Sequence, residues 1–344
     1  MKAVGLTQYL PIDNPDSLVD LEIPTPEPTG RELRVRVYAV SVNPVDVKMR
    51  APGPDKGVLS QPLILGFDAA GVVEAVGPAV TLFKPGDEVY YAGSNDRAGS
   101  NREFHLVDER IVGTKPRTLT FEEAAALPLT TITAWEALFD RLGIAKEPEE
   151  NQGQTILILG GAGGVGSIAI QIAKQVAGLY TIATASRKES AEWCRQMGAD
   201  AVINHHHSLK DELAGIDLAS VNYILCTNSL EQYVTSMAEI IAPQGKICTI
   251  VGTKNNEPIN MNLFMRKSVS FIFELMFTRP LFQTEDMHAQ HELLNEAAKL
   301  IDRGVLRTTL TEHFGPLTAA NLRRAHKRIE SGTMIGKLAL SGIP

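Results

Sequence analysis

The sequence predicts an α/β protein with two parts: a doubly wound parallel sheet and a smaller unit of short strands and turns. Three observations carry this expectation. The first third alternates apolar and polar residues between Pro- and Gly-rich turns. A central stretch alternates apolar strands with helices. One apolar strand, residues 336–340, follows the last helix and cannot make a domain alone. At roughly 100–200 residues per domain, 344 residues suggest two domains.

In the first part, residues 34–42 (R-V-R-V-Y-A-V-S-V) have the period of two of a half-buried strand. Pro24, Pro26, Pro28 and Gly30 punctuate the turn before it. Residues 71–76 form a second strand, closed by Gly77 and Pro78. Lys84-Pro85-Gly86-Asp87 is a tight turn, because Pro presets one dihedral and Gly supplies a positive φ. The character changes at Thr120, an expected N-cap for a helix through residues 121–126. Residues 133–142 read as a second helix, starting at Thr133.

From residue 154 the order becomes strand, helix, strand. Residues 155–159 (T-I-L-I-L) are continuously apolar, as in a strand covered on both faces. A glycine cluster and a helix at 167–176 follow, then strands at 180–183, 201–203, 221–226, 245–251 and 268–273. Amphipathic helices are expected at 290–303 and 318–331, and the strand 336–340 should rejoin the N-terminal unit. The expected division is 1–125 with 305–344 for the strand-rich unit, and 126–304 for the doubly wound one.

Composition narrows the function classes. With 33 Lys+Arg against 40 Asp+Glu, the formal charge is −7. The basic residues are scattered, which argues against nucleic acid or an anionic membrane as the main partner. Cys194, Cys226 and Cys248 are far apart, which excludes a disulfide scaffold and a four-Cys zinc lobe; they read as small buried hydrophobes. No signal peptide and no run of 18 apolar residues is visible, so a cytoplasmic, membrane-free protein is expected.

The strongest chemical signal is residues 160–166, G-G-A-G-G-V-G, containing G-x-G-x-x-G at Gly161, Gly163 and Gly166. It follows an apolar strand and opens a helix, the context in which such a turn cradles a dinucleotide pyrophosphate. Ala162, Gly164 and Val165 complete the expected cofactor loop. An NAD-preferring site places Asp or Glu at the end of the next strand. Here that region reads Thr184-Ala185-Ser186-Arg187-Lys188. Ser186 can donate to a 2′-phosphate, and Arg187 and Lys188 can neutralise it. The expected cofactor is therefore NADPH. The alternative is that both cations are ordinary surface charges at a helix start.

The chain resembles the medium-chain dehydrogenase/reductases, in particular the quinone oxidoreductase branch and its zinc-type alcohol dehydrogenase-like group. The resemblance rests on S-V-N-P-V-D at 41–46, L-G-F-D-A-A-G at 65–71, K-P-G-D-E-V at 84–89, and the glycine cluster. It implies a GroES-like, partly open β-barrel catalytic domain at both chain ends. A Rossmann domain would be inserted between them, with the active site in the cleft. It also implies a homodimer, through edge-strand pairing.

For single residues, the resemblance implies that Asn43 holds the nicotinamide or substrate oxygen; the alternative is a turn-stabilising Asn before Pro44. Asp46 either orients neighbouring groups or caps a helix. Lys48 departs from the tyrosine frequent in this branch, and either donates a proton or faces solvent. Thr133 would contact the cofactor, and the backbone at Val251 and Gly252 would approach the nicotinamide. Phe67, Phe273 and Phe277 are candidates for a flat apolar pocket, although an aromatic-rich strand serves equally as core or dimer interface.

Zinc alcohol dehydrogenases use a Cys after the first core strand and a Gly-His-Glu motif. Here the loop offers Asn43, Pro44 and Asp46, and the motif reads Gly66-Phe67-Asp68. A catalytic zinc needs three protein ligands, so no metal is expected. His105 and the run His205-His206-His207 are the remaining donors, and the run reads as a solvated loop. The expected activity is NADPH-dependent, zinc-free hydride transfer to a quinone, enone or activated carbonyl, with a proton from Lys48 or water. A zinc alcohol dehydrogenase with atypical ligands and a non-catalytic NADPH-binding protein are the alternatives.

Overall fold

The computed structural model describes residues 1–53 and 57–344. The chain begins with β1 (Lys2–Gln8), β2 (Val19–Glu22), β3 (Glu32–Ser41), α1 (Pro44–Arg50), β4 (Val58–Leu63) and β5 (Asp68–Val76). It continues through β6 (Glu88–Tyr91), β7 (Phe104–Asp108), β8 (Val112–Thr114), α2 (Phe121–Ala125) and α3 (Pro128–Trp135). Then come β9 (Thr155–Leu159), α4 (Gly164–Gln171), β10 (Tyr180–Thr184), α5 (Lys188–Gln196), β11 (Ala201–Ile203) and α6 (Leu209–Ala214). β12 (Val221–Cys226), α7 (Leu230–Ile240), β13 (Ile241–Thr249), α8 (Asn262–Met265) and β14 (Ser270–Phe273) follow. The end is α9 (Thr278–Phe282), α10 (Ala289–Asp302), β15 (Leu310–Pro316), α11 (Ala319–Glu330) and β16 (Lys337–Ser341).

Two compact units emerge, Met1–Leu129 with Phe277–Pro344, and Thr130–Met276. In the first, a seven-stranded sheet has the order β15-β16-β3-β5-β6-β8, with β7 pairing β3, and a three-stranded sheet has the order β2-β1-β4. β3 alternates as its sequence requires, with Leu33, Val35 and Val37 buried and Arg36 and Tyr38 exposed. The terminal strand does rejoin this unit: β16 runs antiparallel to β3, Ala339 opposite Ser41. The core is built from inward residues of these strands and α11, among them Val35, Val73, Val89, Leu322 and Leu338.

The second unit holds a six-stranded parallel sheet in the order β11-β10-β9-β12-β13-β14. β9 lies inside it and is buried at every residue, which explains its uninterrupted apolar run. β14 is the edge, and half of its residues are partly buried and half exposed. Among the described residues no helix is long and apolar enough to cross a membrane.

Two expectations need correction. Residues 277–304 belong to the first unit, not to the parallel-sheet unit. An amphipathic helix cannot declare from its sequence which core it covers. α10 packs on β8, and Leu294 accepts the Tyr90 hydroxyl hydrogen at 2.6 Å. Thr133 does not start a helix. α3 begins at Pro128, whose fixed φ suits a first turn, and Thr133 lies in its second half. The Thr120 cap is as expected: its hydroxyl accepts the Glu123 N–H at 3.3 Å, and Glu123 reaches back to the Thr120 N–H at 2.9 Å.

Candidate active site

In the first unit, three strand ends bring together a buried polar cluster. β3 ends at Ser41, opposite Asp68 at the start of β5, and β16 lies on the other side of β3. The chain leaves β3 through Val42 and Asn43, with Asn43 extended (φ −118°, ψ 159°) before Pro44 opens α1. Asp46 supplies the return half of a capping box: its Oδ2 accepts the Asn43 N–H at 2.8 Å. Its Oδ1 accepts the Gly66 N–H at 3.1 Å, tying α1 to the loop that carries Phe67.

The Asn43 side chain turns inward instead of capping. Its Nδ2 donates to Asp68 Oδ2 at 2.9 Å, and its Oδ1 accepts from Lys337 Nζ at 2.5 Å. Lys337 also donates to Asp68 Oδ2 and to the Val42 carbonyl, each at 3.1 Å. Asp68 Oδ1 takes the Leu129 N–H at 2.7 Å. The Lys337 and Asp68 side chains are 4% and 0% exposed. A buried charge is tolerated only when paired and hydrogen-bonded, and both conditions are met. Burial pushes Asp46 up to about 7, partly offset by the Asn43 N–H and the Lys337 ammonium. Burial also raises Asp68, against the pull of Lys337 and the Asn43 amide.

This cluster does not fit a zinc ion. The loop after β3 offers no Cys, Phe67 replaces the histidine of the zinc motif, and the oxygens of Val42, Asn43 and Asp68 already hold an ammonium. Among the described residues no group of three His, Cys, Asp or Glu is placed to bind a metal. His105 is committed internally: it accepts from the Tyr91 hydroxyl at 3.2 Å and donates to the Ala98 carbonyl at 2.9 Å. Burial lowers it to about 3.

Lys48 is exposed on α1. Phe67 and Phe277 are buried against each other, ring centroids 4.8 Å apart. Phe273 belongs to the other unit, at the end of the edge strand, and is 61% exposed. The aromatic run 271–277 therefore divides between two units.

In the parallel-sheet unit, the glycine turn has the geometry of a phosphate cradle. Gly160 adopts φ +82°, and a Cβ on Gly166 would lie 2.3 Å from the Gly160 carbonyl oxygen. A Cβ on Gly163 would meet nothing closer than 3.5 Å, so that face of the turn is open. Gly163 is the N-cap of α4, whose first N–H groups lack intrahelical acceptors and suit an anion. Ser167 in the first turns accepts the Trp193 indole N–H at 2.8 Å, which fixes α4 against α5.

Ser186 is half-buried at the end of β10, and Arg187 and Lys188 are exposed at the head of α5. Val251 and Gly252 follow β13 at the same carboxyl edge, with Gly252 exposed. Thr133 is buried in α3. The triple histidine is only partly the solvated loop expected. His206 and His207 are exposed, yet all three line a cavity of about 310 Å3.

Sequence reasoning missed Lys337 and gave Asp68 no role. A signal existed: a lone lysine heads an apolar strand expected to rejoin the N-terminal unit.

Comparison with known proteins agrees with this architecture. The alcohol dehydrogenase GroES-like domain family matches residues 29–134, and the zinc-binding dehydrogenase family matches residues 164–296. A zinc-type alcohol dehydrogenase-like protein of Staphylococcus aureus is 45% identical, covering 99% of this chain and 100% of its own. A Rhizobium etli structure described as a candidate zinc-dependent alcohol dehydrogenase is 52% identical, with TM-score 0.93, covering 100% of this chain and 98% of its own. Escherichia coli quinone oxidoreductase complexed with NADPH is 26% identical, with TM-score 0.80, covering 100% of both chains. The chain belongs to the medium-chain dehydrogenase/reductase superfamily, as an oxidoreductase of the zinc-type alcohol dehydrogenase-like group.

Proposed function

We propose that this oxidoreductase uses NADPH, without a metal, to reduce a quinone, an enone or a similarly activated carbonyl. The observation that carries the reading is the Lys337 ammonium, held by Val42, Asn43 and Asp68 where a metal enzyme would need free donors. Without a Lewis acid, an acceptor must delocalise incoming charge itself, as a quinone or enone does. NADPH supplies the hydride when bound. The quinone oxidoreductase neighbour that binds it supports this choice.

The chain's residues then have positioning and electrostatic work. The turn 160–166 and the head of α4 receive the pyrophosphate. Ser186, Arg187 and Lys188 meet the 2′-phosphate, and the backbone at Val251 and Gly252, with Thr133, faces the nicotinamide half. Asn43 is held at both ends of its amide, so it offers a bound oxygen its remaining N–H. Asp46 keeps Asn43 and the Phe67 loop in register. Lys48 or water returns the proton. A homodimer belongs to the same reading, since the edge strand β14 ends in exposed Phe273 and is followed by Leu275 at 51% exposure.

The test is oxidation of NADPH and of NADH by quinones, enones and aldehydes, and reduction of NADP+ and of NAD+ by alcohols, in the wild type and Arg187→Asp. Expected are turnover with quinones or enones, and a loss in Arg187→Asp that is larger for NADPH. Equal losses for both cofactors would remove the phosphate clamp. Turnover only with alcohols and NAD+ would remove the whole reading, and cofactor binding without turnover would leave a binding protein.

A further inference from the structure

The cavity beside the triple histidine lies within the parallel-sheet unit, at the carboxyl edge of its strands. His205, His206, Asn228, Ser229, Gln232 and Tyr233 line it, from the loop after β11 and from the start of α7. Strand register fixes its neighbours. Thr184 pairs with Ile203, and the Ala185 N–H donates to the Ile203 carbonyl at 3.0 Å, so the turn bearing Ser186 and Arg187 runs next to the histidine loop. On the other side, the Asn228 amide lies 3.0 Å from where a Cβ on Gly160 would stand. The cavity thus adjoins both the glycine turn and the head of α5, where Arg187 and Lys188 stand.

The fold leaves an imidazole nitrogen unsatisfied here. His205 Nδ1 is buried without a hydrogen-bond partner. Its ring centroid is 4.6 Å from that of His206. His207 is occupied, meeting Glu212 at 2.7 Å. The His205 and His206 rings both line a roomy polar cavity, and the fold leaves one imidazole nitrogen there unsatisfied.

We propose that His205 and His206 contact the 2′-phosphate of the bound dinucleotide and make the preference for NADP(H) over NAD(H) depend on pH. This rests on the NADPH reading above. Arginine and lysine side chains such as those at 187 and 188 ordinarily keep their charge near neutrality. Imidazole is the side chain whose charge ordinarily changes between pH 5 and 8. In the free protein, burial and the neighbouring His206 pull His205 below its usual value, which disfavours its charged form. An arriving phosphate dianion favours the imidazolium, and binding takes up a proton. A 2′-hydroxyl brings no such charge.

The other charged or titratable groups on the surrounding elements are Arg187, Lys188 and Glu189 at the head of α5 and Lys210, Asp211 and Glu212 on α6. On α7 they are Glu231 and Tyr233. Glu212 is held low by the Asn204 N–H and His207, and Tyr233 is raised by burial. Neither side-chain type ordinarily changes charge between pH 6 and 8.

The experiment is calorimetric titration of the full-length protein with NADP+ and with NAD+ at pH 6, 7 and 8, at constant ionic strength. Wild type is compared with the double variant His205→Gln/His206→Gln and with His207→Gln. The ratio of NAD+ to NADP+ dissociation constants should rise about tenfold from pH 8 to pH 6 in wild type and in His207→Gln. In the double variant that rise should vanish, because protonation of the phosphate towards pH 6 weakens NADP+ binding and can only lower the ratio. Wild-type protein in two buffers of different ionisation enthalpy should take up more protons with NADP+ than with NAD+, a readout that needs no variant. An unchanged slope in the double variant, or equal proton uptake for both nucleotides, overturns the inference. Tighter binding of NAD+ at every pH is a different result, and overturns the NADPH reading itself.

Discussion

The polar cluster around Lys337 and the carboxyl edge of the parallel sheet are both built from polar groups at strand ends, yet they are opposites. In the cluster, Asn43, Asp46, Asp68 and Lys337 satisfy one another within 3.1 Å or less and are almost wholly buried. At the sheet edge, a Cβ on Gly163 would meet only an ordinary contact at 3.5 Å, and His205 keeps a nitrogen without a partner. The difference separates two tasks. On the proposed reading, the cluster that completes itself would set the shape of a catalytic wall, and the edge left incomplete would await the cofactor.

The largest effect should come from breaking the cluster. Lys337→Met leaves Asp68 buried without its cation and should cost roughly 3–5 kcal/mol of stability. Pairing it with Asp68→Asn should recover much of that loss, because no charge is then stranded. Denaturant unfolding of the two single variants and the double variant measures the coupling, and simple additivity would contradict the picture.

The glycine turn gives the next largest effect and sharpens the contrast. Gly166→Ala drives a Cβ to 2.3 Å from a backbone oxygen, so the turn must shift. It should lose both stability and NADP+ affinity. Gly163→Ala meets only ordinary contacts. It should keep its melting temperature and still bind NADP+ several-fold less tightly, since the added methyl occupies the open face. Equal behaviour of the two variants would mean that the turn does not seat the pyrophosphate.

A smaller effect is the pH dependence carried by Asp46. Its folded value, about 7, lies above the ordinary carboxylate value near 4. The folded state therefore binds the proton more tightly than the unfolded chain. The stabilisation is fully present below about pH 4 and is lost as the pH rises towards 7. Asp46→Asn should flatten that fall, read as the difference in unfolding free energy between pH 4.5 and pH 8. A wild-type slope retained in the variant would place the titration elsewhere. The smallest effect is at Lys48, exposed on α1. If it donates the proton, Lys48→Met lowers kcat and removes a pH limb; an unchanged profile assigns the proton to water.

The glycine turn, the central strand and the returning terminal strand were legible because each is a local pattern. T-I-L-I-L needs cover on two faces, and a strand after the last helix needs a partner. The allegiance of residues 277–304 was not legible, since an amphipathic helix reads the same on either core. Lys337 escaped for a related reason. It is separated from Asp68 by most of the chain, and only the strand order β16-β3-β5 brings them together. The histidine run looked like solvent because consecutive polar residues carry no period. Its cavity comes from α7, which follows a different strand.

The central claim is that an ammonium, not a metal, holds the catalytic wall. The direct measurement is the metal content of the purified protein, with NADPH-dependent turnover recorded before and after chelation. Substoichiometric metal and unchanged turnover are predicted. One zinc per chain, with activity lost to the chelator and restored by zinc, would contradict it.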